Sequence, residues 1–232
     1  MLTFIIPVLN EAPNLERLLP RLVADCPGAE IIVVDGGSQD ASREVARRHG
    51  ARVLSGRRGR ARQMNGGAGA ATGDILVFLH ADTALPAKAA LAIEAALEDA
   101  EVVGGRFDVR LDSRRLLLRL VAALMNLRSR LTGIATGDQA IFVRQSVFAS
   151  LGGYADIPLM EDVEFTRRLK RMGRLACLRL SVATSARKWE REGVLRTICL
   201  MWSLRFLYWL GVPPERLHRW YYPRRDPDIS AP

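Results

Sequence analysis

The sequence predicts an α/β fold: a Rossmann-like, mostly parallel central sheet flanked by helices, with a C-terminal helical extension. Three observations carry that prediction. Short β-branched runs alternate with segments whose apolar residues recur at helical spacing. The apolar runs are followed by polar groups, among them Glu11, Asp35, His80 and Asp82, as strands are when a ligand lies beyond their carboxyl ends. The 232 residues, 49% of them hydrophobic, contain no internal repeat and no low-complexity linker, which fits one large domain with a sizeable core.

The elements follow in order. Residues 2–8 make a first strand; Leu15, Leu18, Leu19 and Leu22 put a helix over 13–25, and 31–35 form a second strand, completing a βαβ unit. Ser38 is the expected N-cap of a helix over 39–49, with Gly50 just past its end. A short strand over 52–55, an alanine- and glycine-rich helix over 60–71, a strand over 75–79 and a helix over 86–98 continue the alternation. The second half is less regular, with strands over 102–111 and 140–143, helices over 114–131 and 161–172, and long polar loops. The expected division is a domain over 1–190 and a C-terminal amphipathic helix and tail over 191–232.

Charge narrows the partners. A formal net charge of +9 and a pI near 10.3 call for something anionic: nucleic acid, an acidic membrane surface or a phosphorylated small molecule. Cys26, Cys177 and Cys199 are far apart and lack metal-ligand spacing, so neither a disulfide framework nor a zinc site is expected and a reducing cytoplasm is the simpler setting. The opening MLTFIIPVLNE has no basic segment and reaches Asn10 and Glu11 too early for a signal peptide.

The strand ends converge on one crevice. Asp35, closing IIVVD, is equally a turn former and an acceptor for a base or ribose, with Gly36 and Gly37 allowing close backbone approach. A dinucleotide-binding G-x-G-x-x-G is absent after the first strand, where the chain reads PVLNE. Arg57, Arg58, Arg60 and Arg62 gather before a helix N-terminus, a place suited to phosphate. Asp82 at such an edge suits a hard divalent cation completed by phosphate oxygens and water, with His80 a neighbour or a spectator. Glu161 and Asp162 are either first-turn acids that favour the helix dipole or the source of a general base.

Taken together, PVLNE at 7–11, VVDGGSQD at 33–40, GDILVFLHADT at 73–83, GDQAIFVR at 137–144 and MEDVEF at 160–165 resemble the inverting family 2 glycosyltransferases of the GT-A fold. The run RGRARQMN followed by FLHADT is similar to the bacterial subgroup named after arsenosugar biosynthesis. The resemblance implies a nucleotide-sugar donor, most often UDP-linked. Pro7 and Glu11 would shape the nucleotide pocket, Asp35 and Gly36 would lie near the base, and Arg57 and Arg60 beside the phosphates. It implies Mg²⁺ or Mn²⁺ at Asp82; where relatives carry Asp-x-Asp, His80 holds the first position. Asp162 would be the catalytic base with Glu161 as its support, and Gly137, Asp138 and Gln139 would line the acceptor side. Arg187, in TSARKW with Ser185 and Trp189, would reach the diphosphate; the full motif of processive synthases is missing.

The segment over 194–212 is apolar and aromatic but interrupted by Arg196 and Arg205, which makes a poor membrane span. It reads either as a helix packed on protein or as an interfacial helix, which the basic apolar segment over 114–130 would join on an anionic lipid surface. The acceptor would then be lipid-linked and the protein would work at the inner face of the membrane. Competing readings are a nucleotidyltransferase of related architecture, for which the usual Gly- and Arg-rich loop after the first strand is missing, and a basic membrane-surface module without catalysis. Little aromatic interleaving of the arginines disfavours a nucleic-acid partner.

Overall fold

The computed structural model describes residues 1–222; the remainder of the expected C-terminal tail lies outside the described residues. The sheet order is β3(Arg52–Ser55), β2(Glu30–Asp35), β1(Leu2–Val8), β4(Ile75–Phe78), β7(Phe142–Arg144), β6(Val102–Asp112), β8(Arg174–Ser185), β5(Thr83–Ala84). Parallel pairing joins β1 to β2 and β4, β2 to β3, and β6 to β8. Strands β7 and β5 run against their neighbours. The order reverses between β1 and β4, the switch point where ligands enter such sheets.

Alternation along β1 builds the core on both faces. Phe4, Ile6 and Val8 face one side, where they meet Leu15, Leu19 and Leu22 of α1(Ala12–Asp25), Val45 of α2(Ser42–Arg48) and Ile93 of α4(Ala89–Ala96). Ile5 faces the other, with Met64 and Ala68 of α3(Arg60–Ala70), Phe148 of α6(Gln145–Ser150) and Phe165 of α7(Glu161–Leu169). Pro7 is tolerated within β1 for a simple reason. Leu79 N–H donates to Ile5 O, so by strand alternation the missing Pro7 N–H faces β4, beyond the point where that strand ends.

Several expectations move. Helix α2 begins at Ser42, not residue 39, because Ser38 is used elsewhere: its hydroxyl accepts from Asn10 N–H at 2.9 Å and its N–H donates to Asp35. The 12-residue strand β8, the short strand β5 and helix α6 went unforeseen. Most side chains of β8 are only partly buried, so RLACLRLSVATS lacks a clean two-residue alternation. The C-terminal segment folds as α8(Arg187–Glu192), α9(Val194–Trp209) and α10(Pro214–Tyr221). Leu204 and Leu217 are buried against Met160 at the start of α7, and Val194 packs against Leu118 and Val121 of α5(Leu116–Thr132).

Helix α3 lies close on the sheet, which explains its small residues. A Cβ at Gly67 would stand 2.5 Å from Ile5 Cγ2 and 3.0 Å from Val34 Cγ2. Gly67→Ala is therefore expected to destabilise the fold by about 1–3 kcal/mol through overpacking. A urea unfolding midpoint equal to that of the parent protein would show that α3 can retreat at no cost.

Candidate functional site

The crevice is built by locking two strand-end loops together. Asn10, at φ 57°, donates its N–H to Ser38 Oγ, and its side-chain oxygen accepts from Gln39 N–H at 2.8 Å. Glu11 N–H donates to Ser42 Oγ at 2.8 Å, and Ala12 N–H to Asp40 at 3.0 Å. Asp35 is buried, 1% exposed, with its carboxylate accepting from Gly37 N–H and Ser38 N–H. It thus takes the turn-forming role at the end of β2. Gly36 is needed for a neighbour on the chain itself: a Cβ there would lie 3.0 Å from the Gln63 side chain, whose amide donates to Val8 O and Val34 O. Gln63 thereby caps the ends of β1 and β2.

On the far side of the switch point stand His80 and Asp82. Asp82 is exposed and accepts from the Thr83 hydroxyl at 3.4 Å. Glu11, half-buried across the crevice, has its pKa raised by loss of water and further by Asp82 and Asp40, against the Asn14 amide, which lowers it. Two mutually repelling carboxylates with open lone pairs form a donor set that a hard divalent cation would relieve, so the residues fit the implied metal. No cluster of three or more His, Cys, Asp or Glu groups with metal-site geometry occurs among the described residues. His80 faces another way: its Nδ1 lies 3.4 Å from Asp138, and a Cβ on Gly137 would collide with its ring at 2.5 Å. The ring braces the turn that carries Asp138.

That turn, a 3-10 turn at Gly137–Gln139, is tied to α7. Gly137 N–H donates to Asp162 Oδ2 at 2.8 Å, and Val163 N–H to Asp162 Oδ1 at 2.7 Å. Gln139 is fully buried and accepts from Thr136 N–H, so it shapes the turn from within and does not line the crevice. Asp138 does face outward; close-packed protein raises its pKa, but His80, Arg60 and Arg205 bring it below the usual range. Helix α7 starts from Met160, held at φ 69°, a conformation that costs a non-glycine residue roughly 1 kcal/mol and needs support from packing. Leu204 and Leu217 provide it on one side, while Tyr154 and Phe165, with ring centroids 4.4 Å apart, anchor the helix on the other.

The arginines divide. Arg60 opens α3 and reaches Glu161 at 3.6 Å, and Arg62 pairs with Asp156. Arg60, expected beside a phosphate, thus lies 3.6 Å from Glu161 with half of its side chain exposed. Burial pushes the Glu161 pKa up, opposed by Arg60. Arg57 is exposed. Arg187 begins α8, exposed, three residues beyond Thr184, which pairs with Thr83 beside Asp82. Strand β8, invisible in the sequence, is what carries TSAR to the edge of HADT. Gln63, Asn65, which exchanges two hydrogen bonds with Tyr154, and Arg128 were also missed. The RQMN motif was the available signal for the first two.

The class of protein follows from this arrangement: a GT-A α/β fold whose switch-point crevice gathers carboxylates and arginines from distant segments. The description Glycosyl transferase family 2 matches residues 3–151, and the chain belongs to that family. It is 35% identical over 155 residues to undecaprenyl-phosphate 4-deoxy-4-formamido-L-arabinose transferase of Edwardsiella ictaluri (strain 93-146), covering 60% of this chain and 47% of that protein. The protein of the same name from Sodalis glossinidius (strain morsitans) is 34% identical over 157 residues, 61% of this chain and 47% of that one. The chain thus spans about half the length of the curated relatives it matches. Their name differs from that of the arsenosugar subgroup, which rests on its motifs alone.

Among solved structures, S. aureus TarS 1-349 in complex with UDP superposes with a TM-score of 0.65 at 16% identity, covering 79% of this chain and 60% of that chain. Mannosyltransferase PcManGT from Pyrobaculum calidifontis, in complex with GDP-Man and Mn²⁺, gives 0.62 at 24% identity, covering 78% and 56%. Glucosyl-3-phosphoglycerate synthase from Mycobacterium tuberculosis, with Mn²⁺, UDP and glucosyl-3-phosphoglycerate, gives 0.61 at 20%, covering 79% and 71%. These likenesses establish the fold.

The raised Glu11 pKa has a thermodynamic consequence. In metal-free protein Glu11 favours the fold most below its unfolded pKa of about 4.3, and that contribution is lost as pH rises through its higher folded value. Glu11→Gln keeps an acceptor for Asn14 but removes the charge. With a chelator present, the variant should match the parent at pH 4 and melt higher at pH 7; equal melting at both would mean the carboxylates do not strain the empty crevice.

Proposed function

We propose that the protein transfers a sugar from a nucleotide-diphosphate donor, a UDP-sugar first, to an acceptor oxygen with inversion at the anomeric carbon. The observation that carries this reading is the tie between Gly137 N–H and Asp162 Oδ2 at 2.8 Å, which joins the carboxylate of α7 to the acceptor-side turn, with His80 bracing that turn from the donor edge. Pro7, Glu11 and the turn at Asp35 and Gly36 shape the nucleotide pocket. Arg57 and Arg187, both exposed near the crevice and committed to no side-chain partner among the described residues, are the groups for the diphosphate. Asp82, with Glu11 nearby, would hold Mg²⁺ or Mn²⁺, which when bound offsets the charge growing on the departing diphosphate. Asp162 takes the acceptor proton on the face opposite the leaving group, and Glu161, held by Arg60, keeps the start of α7 in place. The solved neighbours bound to UDP or GDP-Man with Mn²⁺ support this assignment.

The acceptor is read as lipid-linked, and the enzyme as peripheral to a membrane. The curated relatives are named for undecaprenyl-phosphate. No helix among the described residues is long and apolar enough to cross a membrane. Yet α5 turns Leu116, Leu120, Leu124, Leu127 and Leu131 to solvent, Leu131 at 78% exposure, and α9 does the same with Trp202, Phe206 and Trp209. These outward apolar stripes, flanked by arginines, suit an anionic bilayer surface better than water.

Asp162→Asn is expected to lower kcat about 100-fold, the low end for loss of a general base, with donor KM changed less than threefold. Asp82→Ala should abolish the rise in Tm that UDP with Mn²⁺ gives the parent protein. Full turnover in Asp162→Asn would remove that residue from the mechanism, and an undiminished Tm rise in Asp82→Ala would remove Asp82 from the donor site.

The membrane reading predicts that replacing Trp202, Phe206 and Trp209 together by serine cuts sedimentation with vesicles containing phosphatidylglycerol at least tenfold, with an unchanged circular dichroism spectrum. Undiminished sedimentation would sink it.

A further inference from the structure

In RGRARQMN, residues 58–65, the final asparagine lies in the second turn of α3 and its side chain grips a distant stretch of backbone. Asn65 Nδ2 donates to Tyr154 O at 2.8 Å, and Tyr154 N–H donates to Asn65 Oδ1 at 2.9 Å. An amide presents a donor and an acceptor side by side, so Asn65 pairs with Tyr154 as a neighbouring strand would. The approach is close. A Cβ on Gly153, itself at φ 74°, would stand 2.6 Å from Asn65 Oδ1.

The loop held in this way has little to hold itself. Residues 154–159 make one backbone hydrogen bond among themselves, from Ile157 N–H to Ala155 O at 2.8 Å. Side chains supply the rest: Arg168 donates to Leu151 O at 2.6 Å and to Gly153 O at 2.7 Å, and Arg62 pairs with Asp156 at 2.8 Å. The Arg62 pair is exposed at both ends and contributes little. Asn65 is therefore the firm link between this loop and α3.

From Tyr154 the constraint passes to α7 through packed rings. Tyr154 is buried, edge-on to Phe78 at the end of β4 with centroids 4.9 Å apart, and 4.4 Å from Phe165. Phe165 lies three residues after Asp162, hence on the same side of α7 one turn along. Two residues before Asn65, and so pointing the other way around α3, Gln63 holds Val8 O and Val34 O at the ends of β1 and β2. One helix thus grips the donor-edge strands with one amide and the loop before Asp162 with another.

We propose that Asn65 is a positioning residue for Asp162: it fixes Tyr154, and through the Tyr154–Phe165 contact it sets where α7 presents that carboxylate relative to the donor edge. The inference rests on the glycosyltransferase reading, in which Asp162 takes the acceptor proton. A reacting group displaced by about 1 Å can lose roughly 100-fold in rate. A residue bonded only to backbone can therefore govern turnover without governing donor binding.

The test measures UDP release from UDP-glucose, UDP-galactose and UDP-N-acetylglucosamine, with water as the acceptor. The full chain is compared with Asn65→Ala, Asp162→Asn and the two combined, on samples whose circular dichroism matches the parent. Asn65→Ala should lower kcat at least tenfold and change donor KM less than threefold. In the Asp162→Asn background the same substitution should change kcat less than twofold, because the carboxylate it would misplace is gone. An equal loss in both backgrounds marks an ordinary structural residue and overturns the inference. Should Asn65→Ala fail to fold, Asn65→Asp, of nearly the same shape and still an acceptor for Tyr154 N–H, goes through the same cycle with the same pattern expected.

Native-state hydrogen exchange gives a readout that needs no donor. In Asn65→Ala the Gly137 and Val163 amides, which donate to Asp162, should exchange at least tenfold faster, while Gly37 and Ser38, which donate to Asp35, keep the parent rates. Equal acceleration at all four amides, or none at Gly137 and Val163, overturns the inference. If the parent protein shows neither UDP release nor a Tm rise with UDP and Mn²⁺, the glycosyltransferase reading fails and this inference with it. If it shows both and the loss is equal in the two backgrounds, the inference alone fails.

Discussion

Carboxylates crowd one edge of the sheet, and the rest of the structure answers that crowding. Glu11, Asp82, Asp138 and the pair Glu161 and Asp162 come from four segments, and burial first, with neighbouring like charge added to it, raises the pKa of Glu11 and Glu161. Each positive neighbour arrives from a different element: Arg60 from α3, His80 from the end of β4, Arg128 from α5 and Arg205 from α9. A charge cluster of this kind is stable only when opposite charges, or a bound ion, are brought to it. The helices beyond β8 therefore complete the electrostatics of a site whose first half is made by β1, β2 and β4.

The same constraint accounts for the strained points. Met160 adopts a left-handed conformation immediately before Glu161 and Asp162, and Ala140 does so just after Gln139. Both flank the tie between the Gly137–Gln139 turn and Asp162, and both side chains are buried. Asn10, also left-handed, opens the loop that presents Glu11, and its two hydrogen bonds to the β2 loop hold it there. Packing and hydrogen bonding around each point outweigh a local cost of about 1–2 kcal/mol.

How much of this could be read from the sequence depended on whether a signal was local. The βαβ order and the strand ends at Asp35 and before Asp82 were legible because alternation and helical spacing are properties of short windows. Roles that depend on what lies opposite in space were not. Gly36 looked like a glycine for ligand approach, yet the group that approaches it is Gln63; Gln139 looked like an acceptor contact, yet it is fully buried. Arg60 looked like a phosphate residue, and its ion pair with Glu161, 101 positions further along the chain, could not be read from a local window. Strand β8 was missed because its half-buried side chains blur the two-residue period, and with it went the contact that brings Arg187 toward Asp82.

Helix α5 concentrates the physical argument about the acceptor. In a helix that serves only to pack a domain, leucines turn inward and arginines outward. Here a leucine stripe faces away from the protein, and at its edge two nitrogens of the partly buried Arg128 are covered with no hydrogen-bond partner among the described residues. In water each of these features is unfavourable, the first by exposing apolar surface and the second by leaving a cation desolvated. An anionic bilayer surface, as in the membrane reading, would relieve the first of these by covering the stripe.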